Sequence, residues 1–207
     1  MNLLTLDHLA LSCTQLDAGT LHVEQKLGVP VLSGGKHALM GTHNTLLGLQ
    51  NNLYFEVIAI DPEAPPPKRP RWFNLDAFDG PPRLTNWIFR TPDLRAALET
   101  LPEGFGTPVS FERGDLRWQM AVPDDGILPW GGWAPAIIQW EGDMHPTQAL
   151  SAADVTIEQI TLKHPQAEDI AQCLAPLMPR DTALFEISDA PALEARMQAP
   201  SGHVILT

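Results

Sequence analysis

Positive charge is scarce in this 207-residue sequence, which has 13 Lys and Arg residues against 25 Asp and Glu residues. The formal net charge at pH 7 is −12. A surface with this excess of negative charge repels polyanions such as DNA and RNA. We therefore expect no nucleic acid among the partners of the chain.

Cysteines and long apolar runs are also lacking. The two cysteines, Cys13 and Cys173, are too few for a disulfide framework. No stretch approaches the roughly 18 uncharged apolar residues of a membrane-spanning helix. The amino-terminal segment has no basic residue ahead of its apolar stretch, unlike a secretory signal. Together these absences predict a cytoplasmic protein with no membrane partner.

Proline, in contrast, is abundant, with 20 residues in the chain. This is nearly twice the usual share of about 5%. Because proline interrupts both helices and strand ladders, the composition favours short strands with many connections over a helical bundle. Hydrophobic residues make up 44% of the chain, which is enough for a packed core.

An internal repeat organises the sequence. The segment TLDHLAL, which begins at Thr5, recurs as TIEQITL from Thr156, and a weaker copy begins at Leu84. Separated matches at a constant offset indicate related structural units. The three predicted units are residues 4–62, 82–146 and 155–207. The proline-rich segment 62–71 is predicted to be a stiff linker between the first two.

Each unit follows the same predicted order of secondary structure. An alternating apolar strand comes first, then a helix, such as residues 15–27, which Gly28 is expected to end with a left-handed conformation. Short strands complete the unit, and the segment Gln50-Asn51-Asn52 predicts a hairpin turn because Asn tolerates a positive φ. The sequence thus predicts an α+β fold of repeated β-α-β-β-β modules, with curved mixed sheets and helices on the outer face.

Several motifs resemble those of a known family. In the first unit they are Asp7-His8-Leu9, residues 41–47 and residues 54–59; in the second they are residues 135–140 and 145–146. They resemble the glyoxalase-like domain family of the vicinal oxygen chelate superfamily, which also includes bleomycin-resistance proteins and extradiol dioxygenases.

The resemblance covers most of residues 4–190 and implies a domain organisation. The first two units are expected to form one glyoxalase-like domain over residues 1–150, with sheets that curve into a cup around a small-molecule site. Residues 155–207 are expected to form a third, shorter unit that packs on this domain.

The resemblance also implies positions for metal ligands, because metal-using members supply them from the first and last strands of each module. His8 and Glu56 occupy these positions in the first unit. Asn86 stands at the opening position of the second unit, and Gln139 or Trp140 at its closing position. A complete set of four ligands is therefore absent.

The predicted metal site consists of His8, His43 and Glu56, with Glu56 also the candidate catalytic base. Imidazole and carboxylate groups suit Zn, Ni, Mn or Fe. If Glu56 faces Leu47 in the hairpin, His43 shares its face but lies roughly 13 Å away at about 3.3 Å per residue. The alternative is that these side chains make only buried hydrogen bonds.

The remaining candidates are side chains expected to bind substrate. They are His37, Asn86, Arg117, Trp130, Trp133 and Gln139. An arginine fork suits a carboxylate or carbonyl group of a ligand, although a surface pair with an acidic residue is the commoner outcome. Tryptophans in a glycine-rich loop often form the rim of a pocket, but they can equally pack into the core.

Two classes of function stay open. One is a metal-dependent lyase, isomerase or dioxygenase, which the pair His8 and Glu56 favours. The other is a non-catalytic module that sequesters a small molecule, which Asn86 favours. The sequence does not specify the ligand, and it leaves open whether the chain forms a homodimer.

Overall fold

The computed structural model of the protein describes residues 3–207. Met1 and Asn2, which begin the predicted first domain, lie outside the described residues. Across residues 3–207, twelve β-strands form two sheets, and four short α-helices accompany them. No helix in this range is long and apolar enough to span a membrane. The predicted α+β class is confirmed.

The larger sheet contains two modules of identical order. The first comprises β1 (Thr5–Ser12), α1 (Leu16–Leu27), β2 (Leu32–His37), β3 (Thr42–Gly48) and β4 (Tyr54–Ile60). The second comprises β5 (Arg83–Arg90), α2 (Leu94–Thr100), β6 (Thr107–Arg113), β7 (Leu116–Val122) and β8 (Ala136–Glu141). The eight strands follow the order β2-β3-β4-β1-β5-β8-β7-β6.

The two modules meet at the centre of this sheet, where β1 and β5 pair in antiparallel fashion. Each of them also pairs in parallel with the last strand of its own module, so the sheet is mixed. The edge strands of this sheet, β2 and β6, lie close to each other. Arg113 of β6 donates a hydrogen bond to His37 of β2 over 3.2 Å. The sheet thereby curls into the cup that the family resemblance implies.

Helix α1 covers the outer face of the first module. It ends at Gly28, whose φ of 72° is left-handed and whose N–H donates to the Glu24 carbonyl, as the sequence predicts. The outward-facing strand residues that pack beneath the helix are fully buried. They are Leu9, Leu11, Phe55 and Val57. Alternation along the strands leaves the opposite face for the cup.

The hairpin between β3 and β4 turns at Gln50–Asn52, where Asn51 and Asn52 have φ values of 62° and 57°. The predicted turn is confirmed, but the predicted register of β3 against β4 is wrong by one residue. Glu56 pairs with Leu46 rather than Leu47. Because strand side chains alternate between faces, this shift moves every β3 side chain to the other side of the sheet.

The segment after the proline-rich linker enters the fold instead of running over its surface. Residues 72–77 form a short 3₁₀ helix, within which Phe73 and Asn74 have positive φ values of 60° and 53°. Trp72 and Phe73 are buried. The Asn74 N–H donates to the Gly126 carbonyl over 3.0 Å, which fixes the segment to the second module.

The carboxyl-terminal part forms a separate four-stranded sheet after α3 (Pro146–Ala149). Its elements are β9 (Thr156–His164), α4 (Ala167–Leu174), β10 (Leu184–Ile187), β11 (Ala192–Ala199) and β12 (Gly202–Leu206). The chain order repeats that of the first module, but the strand order β10-β9-β11-β12 does not. β9 pairs in parallel with the strand directly after its helix, whereas β1 pairs with the last strand of its module.

Backbone hydrogen bonds join this carboxyl-terminal part to the two modules. The Leu84 N–H donates to Thr207 over 2.9 Å, and the Leu4 N–H donates to Leu177 over 2.8 Å. The division into domains at residues 150–155 stays a prediction.

We expect Gly19→Ala in α1 to lower the melting temperature. A Cβ at this position would overlap Cys13 Sγ and would lie 2.8 Å from Val57 Cγ1. Overpacking costs about 1–3 kcal/mol, which exceeds the helix-propensity gain of about 0.5–1 kcal/mol from Gly to Ala. Thermal unfolding followed by circular dichroism measures the effect. The control is Gln25→Ala at an exposed position of the same helix; a Gly19→Ala variant as stable as this control would contradict the packing.

Candidate functional site

The concave face of the larger sheet surrounds a narrow cavity with an inner volume of about 30 Å³, or about 360 Å³ of empty space when its open mouth is included. Its polar side chains come from both modules. They are His8, His37, Asn44, Glu56 and Arg113. Aromatic side chains form most of the wall: Tyr54, Trp72, Phe73, Trp118 and Trp140.

The structure brings His8 and Glu56 together at the floor of this cavity. In the parallel ladder of β1 and β4, His8 pairs with Tyr54 and Ala10 pairs with Glu56, so all four lie on one face. His8 Nε2 and Glu56 Oε2 are 3.6 Å apart. Both residues are almost inaccessible to solvent, with exposed fractions of 3% and 6%.

Asp7 completes a buried network of charges with these two residues. The His8 Nδ1–H group donates to Asp7 Oδ1 over 2.7 Å. A bulge between Leu6 and His8 lets Asp7 lie on the same side as its neighbour, although strand alternation would separate them. The second Asp7 oxygen accepts hydrogen bonds from Trp140 Nε1 over 3.1 Å and from His145 Nε2 over 3.0 Å.

These contacts determine the protonation states of the network. Burial opposes ionisation of Glu56, yet the ion pair with His8 and a hydrogen bond from Asn44 lower its pKa to about 2. Burial also opposes a positive charge on His8, but Asp7 and Glu56 outweigh it and raise the His8 pKa. The network is therefore an imidazolium held between two carboxylates.

Asn44 orients the Glu56 carboxylate. Its Nδ2 group donates to Glu56 Oε1 over 2.5 Å, while its Oδ1 accepts from the Gly35 N–H over 2.8 Å and from Arg113 over 3.2 Å. Since both of the latter groups can only donate, the orientation of the amide is fixed.

His43 does not join this site. The register described above places it on the outer face of the sheet, in a groove with Leu16, Asp17 and Ile60. The sequence prediction assigned His43 to the face of Glu56, and Asn44 occupies that face instead because the hairpin is shifted by one residue.

His37 lies in the cavity and is neutral. Arg113 Nη1 donates to His37 Nε2, and arginine has no acceptor, so the ring proton is on Nδ1 and is donated to Thr42 Oγ1 over 3.0 Å. Burial and the adjacent Arg113 charge lower the pKa of His37 to about 4. Arg113 therefore carries the positive charge at this end of the cup.

Two of the predicted ligand contacts lie outside the cup. Arg117 is on the opposite face of β7 from Trp118, where it donates to the Gly114 carbonyl and pairs with Glu112. Gln139 points towards α2, where its Oε1 accepts a hydrogen bond from the Leu94 N–H over 2.8 Å.

The three other predicted contacts are also separate from this cavity. Trp130 packs edge-on against Phe105, with ring centroids 6.3 Å apart. Asn86 and Trp133 line a second pocket beside the cup.

The residues of the cup do not fit the predicted metal centre. His8 and Glu56 provide two suitable donors, and the Asp7 contact is typical of a ligand histidine. In the described part of the chain no third ligand joins them, because His43 is on the outer face and Asn86 lies in the second pocket. Within residues 3–207, no group of three or more His, Cys, Asp or Glu side chains could hold an ion.

Sequence reasoning missed Asp7, Asn44 and Arg113. Asn44 follows from strand alternation once the register is known. Asp7 depends on a bulge and Arg113 on the closure of the sheet edges, and neither has a local pattern in the sequence.

The paired modules and the cup between them define a protein of the vicinal oxygen chelate class. The sequence matches the family described as "Glyoxalase-like domain" over residues 6–178. The chain belongs to this family, and the resemblance stated from its motifs is confirmed. A comparison with curated proteins gives no significant match.

A comparison with solved structures gives matches at low sequence identity. A hypothetical protein from Staphylococcus aureus is 18% identical, with a TM-score of 0.63 and coverage of 91% of this chain and 88% of that one. Methylmalonyl-CoA epimerase from Mycobacterium tuberculosis is 20% identical, with a TM-score of 0.46 and coverage of 72% and 94%. A Streptomyces coelicolor epimerase variant in complex with 2-nitronate-propionyl-CoA is 16% identical, with a TM-score of 0.43 and coverage of 68% and 99%.

We expect Glu56→Gln to destabilise the protein at neutral pH and to have little effect at pH 2. The folded-state pKa of about 2 lies below the ordinary 4.5, so the Glu56 contribution is complete above pH 4.5 and disappears as the pH falls through 2. The expected loss at neutral pH is about 3 kcal/mol. Urea unfolding of both proteins across this pH range measures it.

The control for this experiment is Glu103→Gln, because Glu103 is exposed. A difference between wild type and Glu56→Gln that stays constant from pH 7 to pH 2 would contradict the charge network.

Proposed function

We propose that the chain binds a small planar organic molecule through a carbonyl or carboxylate oxygen in the cup. One observation carries the proposal: the indole N–H of Trp72 is buried at the cavity wall and has no hydrogen-bond partner among residues 3–207. A buried donor without a partner costs free energy, which an acceptor oxygen of a ligand would recover.

Two cationic groups support the same type of ligand. Arg113 makes its cavity contacts through Nη1, and its guanidinium carries further N–H groups for an incoming oxygen. His8 is the second cation, and its Nε2 faces the cavity beside Glu56. Hydrogen bonds from charged donors to an acceptor oxygen are the stronger kind.

The aromatic wall supports a planar, apolar ligand body. Tyr54 stacks on the His8 ring with centroids 4.2 Å apart, and Trp118 and Trp140 meet at 5.5 Å. Aromatic faces bind flat rings by burial of apolar area and by offset stacking. A pocket that combines such walls with a few convergent polar groups is the usual form of a small-molecule site.

The state of Glu56 favours binding over catalysis by this residue. A general base is most effective when its pKa is near the working pH, whereas that of Glu56 is about 2. Both carboxylate oxygens are also engaged, one by Asn44 and the other by His8. The predicted catalytic role of Glu56 is thus the less supported alternative.

An enzyme of the isomerase or lyase type is the second candidate. His8 Nε2 lies 3.5 Å from the Tyr54 hydroxyl and 3.6 Å from Glu56, so three groups that can carry a proton meet in the cup. The fold hosts both functions and does not choose between them. The cytoplasmic location and a homodimer stay predictions from the sequence.

The binding proposal is tested by titration with benzoate, 2-naphthoate and acetophenone, followed by tryptophan fluorescence. We expect Arg113→Leu to weaken binding about tenfold or more, because a hydrogen bond from a charged donor contributes about 1.5–3 kcal/mol. Arg117→Leu is the matched control, since Arg117 lies on the outer face of β7. Equal affinity of wild type and Arg113→Leu, or no response to any of the three compounds, would refute the proposal.

Calorimetric titration of metal-stripped protein with Zn²⁺, Ni²⁺ and Mn²⁺ tests the enzyme alternative. We expect weak binding, because His8 and Glu56 are two ligands to which residues 3–207 add no third. A tight one-to-one site that His8→Ala abolishes would instead establish a metal centre and favour the metal-dependent lyase or isomerase.

A further inference from the structure

A second pocket opens next to the cup, with an inner volume of about 120 Å³, or about 480 Å³ of empty space when its mouth is included. It lies between the first residues of β5, the segment 73–78 and the loop 131–133. Phe73 contributes to both cavities and separates them. The pocket shares no other lining residue with the cup.

Asn86 is the unusual group in this pocket. Its exposed fraction is 2%, and its Oδ1 has no hydrogen-bond partner within residues 3–207. The antiparallel ladder pairs it with Ala10, so its side chain is on the concave face of the sheet. A buried amide oxygen without a partner is rare in folded proteins, because its lost hydration is not replaced.

The neighbouring polar groups do have partners. Thr85 Oγ1 and Ser12 Oγ form a hydrogen bond of 2.6 Å, and Arg83 Nη1 donates to the Asp79 carbonyl over 2.6 Å. The missing partner is therefore specific to Asn86 and is not a general property of this wall.

The walls of the pocket are held in place before any ligand arrives. On one side, the Asn74 N–H donates to the Gly126 carbonyl over 3.0 Å. On the other side, the Trp87 indole N–H donates to the Trp133 carbonyl over 3.1 Å. The side chains of Phe73, Phe78 and Trp133 provide aromatic surface between these anchors. A preorganised pocket of this kind loses little entropy on binding.

We propose that this pocket is a second binding site, for an aromatic amide or a similar planar group with an N–H donor, whose hydrogen Asn86 Oδ1 accepts. The site differs from the cup in the polarity of its hydrogen bond. The unpartnered Trp72 N–H in the cup requires an acceptor, whereas the unpartnered Asn86 oxygen requires a donor. The inference therefore does not depend on the function proposed for the cup.

Benzamide is the probe, and methyl benzoate, which keeps the ring and carbonyl but lacks the N–H, is the matched control ligand. We expect benzamide to shift the side-chain amide resonance of Asn86 in NMR spectra and to bind about tenfold more tightly than methyl benzoate. Asn86→Leu, which replaces the amide by an apolar group of similar size, should reduce benzamide affinity to that of the ester.

A stability measurement on Asn86→Leu and a control variant test the proposal further. Asn86→Leu should also raise the melting temperature without ligand, because it removes an unpartnered buried amide. Arg117→Leu, an exposed change on the outer face of β7, should leave benzamide binding unchanged. Benzamide affinity that is equal in wild type and Asn86→Leu, an unmoved Asn86 resonance, or loss of binding in Arg117→Leu would overturn the proposal.

Discussion

The charge network of Asp7, His8 and Glu56 is the interaction on which the cup depends. Three ionised side chains are removed from water, and such burial is costly unless every charge finds a partner. The partners come from several strands: Asn44 of β3 holds Glu56, and Trp140 of β8 holds Asp7. The network thus ties the two modules together across the floor of the site. Loss of one member would leave an uncompensated charge, so we expect a substitution in this part of the inner face to be destabilising.

Sequence reasoning reached the parts of this arrangement that depend on short-range pattern. The family resemblance placed His8 and Glu56 on the opening and closing strands of one module, and the repeat predicted the β-α-β-β-β order. The predicted position of His43 was wrong because a one-residue shift at the turn 50–52 moves every β3 side chain to the opposite face of the sheet. The role of Arg113 could not be predicted for a different reason. Its contact with β2 forms only when the two edges of the sheet, which are far apart in the sequence, come close together.

The carboxyl-terminal sheet shows a similar limit. The match between Thr5 and Thr156 correctly predicts two opening strands, each at an interior position of its sheet. Tertiary packing decides which strands pair. The short strand β10 pairs in parallel with β9, whereas in the first module the closing strand β4 pairs in parallel with β1. The family match to residue 178 includes β9 and α4, so it extends beyond the eight-stranded sheet.

The contact between the two sheet edges has a consequence for the chemistry of the cup. Arg113 links β6 to β2 through its hydrogen bond to His37. The same side chain lines the cavity and is a cation that a ligand can contact. A ligand that draws Arg113 away from Asn44 removes one restraint on the amide that holds Glu56. The Glu56 carboxylate then loses part of what keeps it ionised, and its affinity for a proton increases. Occupancy of the cup and the basicity of its floor are in this way linked through a single side chain.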